Sequence, residues 1–273
     1  ARICGQIAMD QHLEHLKSIE NKSSYSPLPK ADDVQLRFTG SAGQGFGVFM
    51  VGGLSLRLEG EANDSVCKSM AGGRVVIIPD PKAQLDPEVS SIIGNCALYG
   101  ATGGELFVRG RAGDRFAVRN SGATTVVHGV GMHACGYMTA GTVLILSTIS
   151  HNVGAGMTGG EIFCRREHLE MLNKDYIAPV ALTQDDVQKL TRLISQHVEL
   201  TKSSTARELL QPGSDLTKIF VRCIPWSQHN QDEHKLKAGS KGETPRLHSH
   251  LHGDEAIRAD RHAALVLEVG VGD

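Results

Sequence analysis

The glycine pattern G-x-G-x-x-G at Gly154, Gly156 and Gly159 is the first candidate for chemistry in this sequence. In dinucleotide-binding domains, this pattern joins a strand to a helix whose N-terminus faces the cofactor pyrophosphate. Here polar residues separate the glycines from the expected strand Thr142–Leu146, and the residues after Gly159 indicate another strand. The pattern therefore favours a structural role for these glycines, and a nucleotide site is kept as an alternative.

A second glycine cluster, Gly43-Gln-Gly45-Phe-Gly47, has the spacing of a phosphate-binding loop. Such a loop needs a basic residue or a helix N-terminus beside it. The neighbouring residues, among them Phe46 and Val48, are apolar instead. We therefore interpret this cluster as a tightly packed corner of the fold.

Histidine and cysteine residues are the candidate metal ligands and nucleophiles. His248, His250 and His252 alternate as ligands on one strand face do, but three His in a polar tail more often bind metal adventitiously. Cysteines form no C-x-x-C pair, so we expect buried, reduced thiols rather than a zinc or iron–sulfur site. The six cysteines are Cys4, Cys67, Cys96, Cys135, Cys164 and Cys223.

Histidines in the middle of the chain lack an accompanying nucleophile pattern. His128, His133 and His151 are therefore expected to be structural. The sequence also has no Walker loop, H-E-x-x-H or G-x-S-x-G motif. We predict no catalytic, cofactor-binding or metal-ligating residue in this chain.

Composition excludes several classes of partner. The net charge of −2 gives no basic footprint for nucleic acid or an anionic membrane. No apolar run is long enough to span a membrane, and no secretory signal is visible. We expect a location in the cytoplasm, or in an organellar stroma or matrix after processing.

The elements that position these residues form an internal repeat. Pairs of small residues begin at Gly103, Gly122, Ala140 and Gly159, in steps of 19, 18 and 19 residues, and each precedes a short β-branched run. A step near 19 is too short for a β-α-β unit but suits a solenoid coil of two or three short strands. A β-sandwich is the alternative. Glycines are expected where coils turn with positive φ or approach closely: Gly43, Gly47, Gly72, Gly73, Gly103, Gly104, Gly122, Gly141, Gly159 and Gly160.

Four regions follow from these patterns: a polar segment 1–33, a glycine-rich β-helix 34–165, closing helices and a strand 166–225, and a mobile His-rich tail 226–273. In the third region, Thr183 is predicted to cap an amphipathic helix. Thr205 is predicted to cap a shorter helix, and Lys218–Ile224 is predicted to form a strand.

At this point the motifs resemble the C-terminal GXGXG domain of the glutamate synthase large subunit. The resemblance covers about residues 34–225 and lies in Leu36–Gly47, Leu58–Asp64, Ile93–Gly104, Arg115–Thr124, Ala155–Gly160, His197–Thr201, Ala206–Leu209 and Phe220–Pro225. It implies a mainly β fold: a right-handed, single-stranded parallel β-helix with a C-terminal helical segment.

The resemblance also implies a function. Glutamate synthases make glutamate from glutamine and 2-oxoglutarate, with an amidotransferase domain and a domain that carries FMN and an iron–sulfur cluster. Those domains are the implied partners, and the GXGXG domain holds them without catalysing either reaction. We therefore expect no activity and no cofactor in the isolated chain. The alternatives are a nucleotide-binding protein or enzyme that uses Gly154–Gly159, and a scaffold subunit of a related complex such as N-methylglutamate synthase.

Overall fold

The computed structural model describes residues 5–10, 12–13 and 34–230. Residues 5–10 are helical. Most of the polar segment 1–33 lies outside the described residues. So do the His-rich tail after residue 230, Cys4, His248, His250 and His252.

Ten strands form one sheet, and its first seven members in spatial order stack parallel to one another in the described part of the chain. This parallel stacking confirms the mainly β solenoid and excludes the antiparallel sandwich. The strands are β1 (Val34–Ser41), β2 (Leu54–Glu61), β3 (Ala71–Ile78), β4 (Ser91–Ile93), β5 (Gly103–Ala112), β6 (Ser121–Gly129), β7 (Ala140–Ile145), β8 (Glu161–Arg165), β9 (Ile177–Val180) and β10 (Phe220–Pro225).

Each long strand supplies two sides of a coil because it bends partway. In β5, the residues Glu105 to Val108 pair with β3, whereas Arg111 and Ala112 pair with β4. The bend lies at Gly110, where an added Cβ would sit 2.8 Å from the Ile92 side chain. The residues between β3 and β5, around the 3₁₀ turn Pro81–Ala83, make the step from Gly72 to Gly103 31 residues long, longer than the later steps of 19, 18 and 19.

The third side of a coil is not a strand, so of the two or three strands predicted for each coil the structure has two. It is a run of eight residues, here called an octet, and the six octets cover residues 43–50, 63–70, 94–101, 113–120, 131–138 and 150–157. In each octet the third, fifth and seventh residues have φ between 53° and 79°. Five of these 18 positions hold Gly, and the other 13 hold residues with a side chain.

Backbone hydrogen bonds between coils stabilise this left-handed backbone. The fifth residue of an octet donates its N–H to the fourth residue of the preceding octet, as Cys135 does to the Phe116 carbonyl at 2.7 Å. The third and seventh residues donate to the following octet, as Tyr137 does to the Ala155 carbonyl at 2.8 Å. These bonds offset the steric cost of positive φ, about 1–2 kcal/mol per residue with a Cβ.

Apolar side chains fill the interior and also one outer face of the solenoid. The run Leu106 to Val108 is fully buried because Leu106 and Val108 point into the core while Phe107 points outward. The outward-facing residues of several strands form a second cluster with helix α1 (Gln184–Thr201), through Leu190, Leu193 and Ile194. Burial on both faces explains the continuous apolar runs in the sequence.

The C-terminal segment closes the last coil. Strand β10 pairs antiparallel with β8 on one side and with β9 on the other. The predicted Thr183 cap of α1 is present as a capping box with Asp186. The second cap was predicted wrongly: α2 (Ser204–Glu208) is capped by Ser203, whose side chain accepts the Ala206 N–H.

The expected strand Lys218–Ile224 is also partly wrong. Residues 218 and 219 belong to the short helix α3 (Leu216–Ile219), which Asp215 caps, and β10 begins at Phe220. The Asp215 carboxylate accepts the Thr217 backbone N–H, and this local bond favours a helical turn before the strand.

Candidate functional site

The literal G-x-G-x-x-G pattern is divided between two parts of one coil. Gly154 and Gly156 are the fifth and seventh residues of the last octet, with φ of 79° and 69°. Gly159 follows that octet, and strand β8 rather than a helix comes next. Added Cβ atoms at Gly154 and Gly156 would lie 2.5 Å from the Ile177 side chain and 2.6 Å from Tyr137. The glycines thus serve the packing of the coil, and they present no helix N-terminus to a pyrophosphate.

The repeat glycines fall into two columns along the solenoid. In the first column, an added Cβ would strike the backbone of the previous coil, as at Gly103, where the Ala71 carbonyl oxygen would be 2.7 Å away. Gly72, Gly122 and Gly159 occupy the same column, and each would also meet the backbone of the previous coil. In the second column, φ is positive: 82° at Gly73, 90° at Gly104, 96° at Gly141 and 83° at Gly160.

The glycines of the first octet have the same backbone requirement. Gly43 and Gly47 have φ of 69° and 72°, and Gly45 between them has 69°. Gly45 and Gly47, the third and fifth residues, therefore follow the positive-φ pattern of the later octets, whereas Gly43, the first residue, has positive φ in this octet alone. The neighbouring Phe46 and Val48 line an apolar groove, which matches no phosphate site.

Acidic and amide side chains at the second octet position join successive coils. Asp64 accepts the backbone N–H of Asn95 at 2.7 Å, and Asn95 accepts that of Asp114 at 2.7 Å. Asp114 in turn accepts the N–H of Met132 at 2.8 Å. An added Cβ at Gly113 would lie 2.4 Å from the Asn95 Oδ1 atom, so the glycine before each residue that donates its N–H makes room for the accepting side chain.

Four of the five thiols in the described residues have the properties of core residues, and Cys96 is only partly buried. Cys67, Cys135, Cys164 and Cys223 are buried. Burial raises the pKa of the Cys67 and Cys135 thiols well above the ordinary value, which keeps them protonated and unreactive. The Sγ atoms of Cys164 and Cys223 lie 3.7 Å apart.

The described residues offer no ligand set for a metal or an iron–sulfur cluster. Among them, no three His, Cys, Asp or Glu side chains converge as metal ligands would. An iron–sulfur cluster needs about four cysteine ligands, and the buried Cys164–Cys223 pair supplies two sulfur atoms. The side chains of residues 34–230 therefore do not fit an iron–sulfur cluster.

A buried polar cluster lies where no sequence motif indicated one. The Nε2 atom of His128 lies 3.0 Å from the Ser203 hydroxyl, and its Nδ1 atom lies 3.3 Å from the Glu88 carboxylate. The His128 and His197 Nε2 atoms are 3.4 Å apart. Thr205 donates a hydrogen bond to Glu88. Residues 88, 128 and 203 are too far apart in sequence for any local motif to connect them.

This Ser–His–Glu order is that of a catalytic triad, but its surroundings are structural. Ser203 is completely buried, and its hydroxyl oxygen accepts the Ala206 N–H at the start of α2. The cluster therefore attaches the helical segment to the solenoid. Hydrogen bonding to His128 is the main cause that lowers the Glu88 pKa to about 2. Burial, the neighbouring His128 and Arg109 lower the pKa of His197, so its imidazole is neutral.

A second polar contact joins the same two parts of the chain. The Glu161 carboxylate is nearly buried and lies 2.6 Å from Lys189 Nζ on α1 and 2.9 Å from Arg222 Nε on β10. Thr142 donates a hydrogen bond to the same carboxylate at 2.8 Å. These charges are paired within the described residues and are positioned to hold elements together.

The fold defines a class of protein: a parallel β-solenoid with stacked glycine columns, in which Glu161 and the His128 cluster contact neighbouring elements of the same chain. A sequence profile described as the GXGXG motif matches residues 16–226. The chain belongs to the GXGXG family.

The relatives that it resembles in sequence are named glutamate synthases. The chain is 46% identical over 218 residues to ferredoxin-dependent glutamate synthase 2, chloroplastic, of Arabidopsis thaliana, with 77% of this chain and 13% of the relative covered. It is 44% identical over 207 residues to ferredoxin-dependent glutamate synthase 2 of Synechocystis sp., with 74% and 13% covered. It is 40% identical over 207 residues to the glutamate synthase [NADPH] large chain of Bacillus subtilis, with 72% and 13% covered. The chain thus spans about 13% of the length of these relatives.

None of the helices in the described residues combines the length and the apolar character that crossing a bilayer requires.

Proposed function

We propose that this chain is a structural domain of a glutamate synthase, which serves glutamate biosynthesis and ammonia assimilation by holding the catalytic domains in position. The observation that carries the proposal is the family relationship, joined to a fold whose polar clusters are used internally. Asp64, Asn95 and Asp114 join coils, Glu161 pairs with cations, and the His128 cluster is buried.

The amidotransferase and flavin domains of the same enzyme are the partners in this proposal. FMN and the iron–sulfur cluster belong to those domains and not to residues 34–226. We also propose that residues 34–165 form the supporting solenoid and residues 166–225 its closing segment. The chain works in the cytoplasm or in an organellar stroma or matrix. Three of its relatives carry "chloroplastic" in their names.

The test uses the large polypeptide from the source organism, with and without the region that corresponds to residues 34–226. We expect the shortened polypeptide to lose glutamine-dependent glutamate formation, while the isolated chain shows no flavin absorbance and no turnover. Stoichiometric flavin in the isolated chain, or turnover without the other domains, would overturn the proposal. The non-catalytic role is tested separately by Glu161→Gln and Ser203→Ala in the intact enzyme, which are expected to change stability more than the rate of the folded fraction.

Two alternatives have separate tests. A nucleotide site at Gly154–Gly159 predicts saturable binding of NAD(P) that Gly156→Val abolishes, whereas the proposal predicts no binding at millimolar ligand. A scaffold subunit of a related complex, such as N-methylglutamate synthase, predicts purification with a different flavoprotein. Native capture of the chain, followed by identification of the bound proteins, distinguishes this complex from a glutamate synthase.

A further inference from the structure

The first coil has an uncovered apolar surface. Strand β1 lies at the edge of the sheet, and none of its residues is buried. Its side chains and the first octet line a groove of about 720 Å³, which we call the end groove, formed mainly by Leu36, Phe38, Phe46, Val48, Leu56 and Leu58. The Phe38 ring is 41% exposed and packs edge-on against Phe46 at 5.5 Å between ring centroids.

Register shows that the end groove is an interior column without its next layer. Phe38 pairs with Leu58, which pairs with Ile77, and the column continues through Val108 and Val127. Leu58 is 1% exposed, and the next three residues are completely buried. Phe38 therefore occupies a core position and is exposed because no described coil lies above it.

The backbone of the first octet likewise lacks a neighbouring coil on one side in the described residues. In every later octet, the fifth residue donates its N–H to the preceding octet, as Cys67 does to the Phe46 carbonyl at 2.8 Å. Gly47 is the fifth residue of the first octet, and among the described residues its N–H has no backbone acceptor. The end groove thus combines an apolar floor with a free donor, which an extended polypeptide could satisfy but a rigid apolar ligand could not.

We propose that the end groove is the docking site for an extended apolar segment from another domain of the glutamate synthase polypeptide. This inference rests on the proposed function. The chain spans 13% of the length of its relatives, so a large polypeptide outside it is available as the partner. The docked segment places apolar side chains over Leu36 and Phe38 and a carbonyl at the Gly47 N–H, and so supplies the missing layer. The opposite end needs no such partner because β9 and β10 close it.

The experiment measures binding between this chain and the remaining part of the large polypeptide, purified separately from the same source. Phe38→Asp places a charge in the end groove, and Tyr137→Asp is the matched control, since Tyr137 is 66% exposed on an octet away from it. We expect Phe38→Asp to weaken binding by at least about tenfold, because a buried aromatic contact is lost and a carboxylate is desolvated. The control is expected to bind as the unmodified chain does, and circular dichroism reports whether each variant is folded.

Hydrogen exchange of the unmodified chain gives a second measurement that does not depend on a variant. We expect the amides of residues 34–41 and of Gly47 to gain protection in the complex. Equal binding by Phe38→Asp, without that protection, would overturn the end groove as the docking site and leave the proposed function intact. No binding by any form of the chain would overturn the proposed function itself.

Two further outcomes would also overturn the docking proposal. If the chain alone forms dimers that Phe38→Asp dissolves, the end groove is a contact between copies. If residues 34–41 are already protected in the monomeric chain, the chain covers the end groove itself.

Discussion

The glycine column that contains Gly103 gives the sharpest quantitative prediction. A Cβ at Gly103 would lie 2.7 Å from the Ala71 carbonyl oxygen, about 0.7 Å closer than ordinary contact. Moving the coils apart by that distance would stretch the Thr102 N–H···Met70 hydrogen bond, now 2.8 Å, to the limit of bonding. A weakened hydrogen bond costs about 1 kcal/mol and overpacking about 1–3 kcal/mol, against about 0.5 kcal/mol gained from a less flexible unfolded chain. Gly103→Ala is therefore expected to destabilise by about 1.5–3.5 kcal/mol.

Gly52 provides the matched control because it stands in the same column of the first coil. An added Cβ there has no heavy atom within 4 Å. Gly52→Ala is therefore expected to be neutral or to stabilise by about 0.5 kcal/mol. Urea unfolding, followed by circular dichroism, measures both variants against the unmodified chain. Equal stability of the two variants would refute the close-approach explanation, since Gly103 would then be no more constrained than an open position.

Three other perturbations test the closing segment. Because the His197 pKa is lowered in the folded state, the free energy of unfolding should fall as the pH drops through about 6.5. In urea titrations, His197→Phe should reduce this pH dependence, whereas the exposed control His151→Gln should leave it unchanged. The Glu88 pKa is lowered to about 2, so the stability that ionised Glu88 contributes is present above about pH 4.5 and is lost as the pH falls towards 2. An unchanged loss of stability at acid pH in Glu88→Gln would contradict this. Thr183→Ala removes the capping box of α1 and should cost about 1 kcal/mol, and an unchanged melting temperature would count against it.

The coil length and the closing helix were predictable because their signals are local. The steps of 18 and 19 residues are too short for helical crossovers, and for this reason the sequence alone predicts a solenoid. Thr183 and the apolar stripe through Leu190 and Ile194 predicted α1 and its cap, since a capping box and a helical period lie within one segment.

The octets and the buried cluster were not predictable from local patterns. Residues such as Leu98 and Tyr137 rarely adopt positive φ, and only hydrogen bonds to neighbouring coils make that backbone favourable here. Glycine marks two of the three alternating positions in the first octet, at Gly45 and Gly47, and other residue types occupy most of these positions in the later octets. The contact between His128 and Ser203 likewise depends on where α1 returns to the solenoid, which no short segment specifies.

The hydrogen bonds of the octets also determine how the molecule resists force. Each coil is joined to the next along the solenoid axis by short N–H···O bonds in the octets as well as in the strands. Bending the axis would require those bonds to lengthen together on the convex side, and a hydrogen bond weakens steeply beyond about 3.2 Å. Helix α1 contacts β3, β5 and β6 and braces one side against such bending. The solenoid is therefore stiff along its axis, as the supporting role that we propose for it requires.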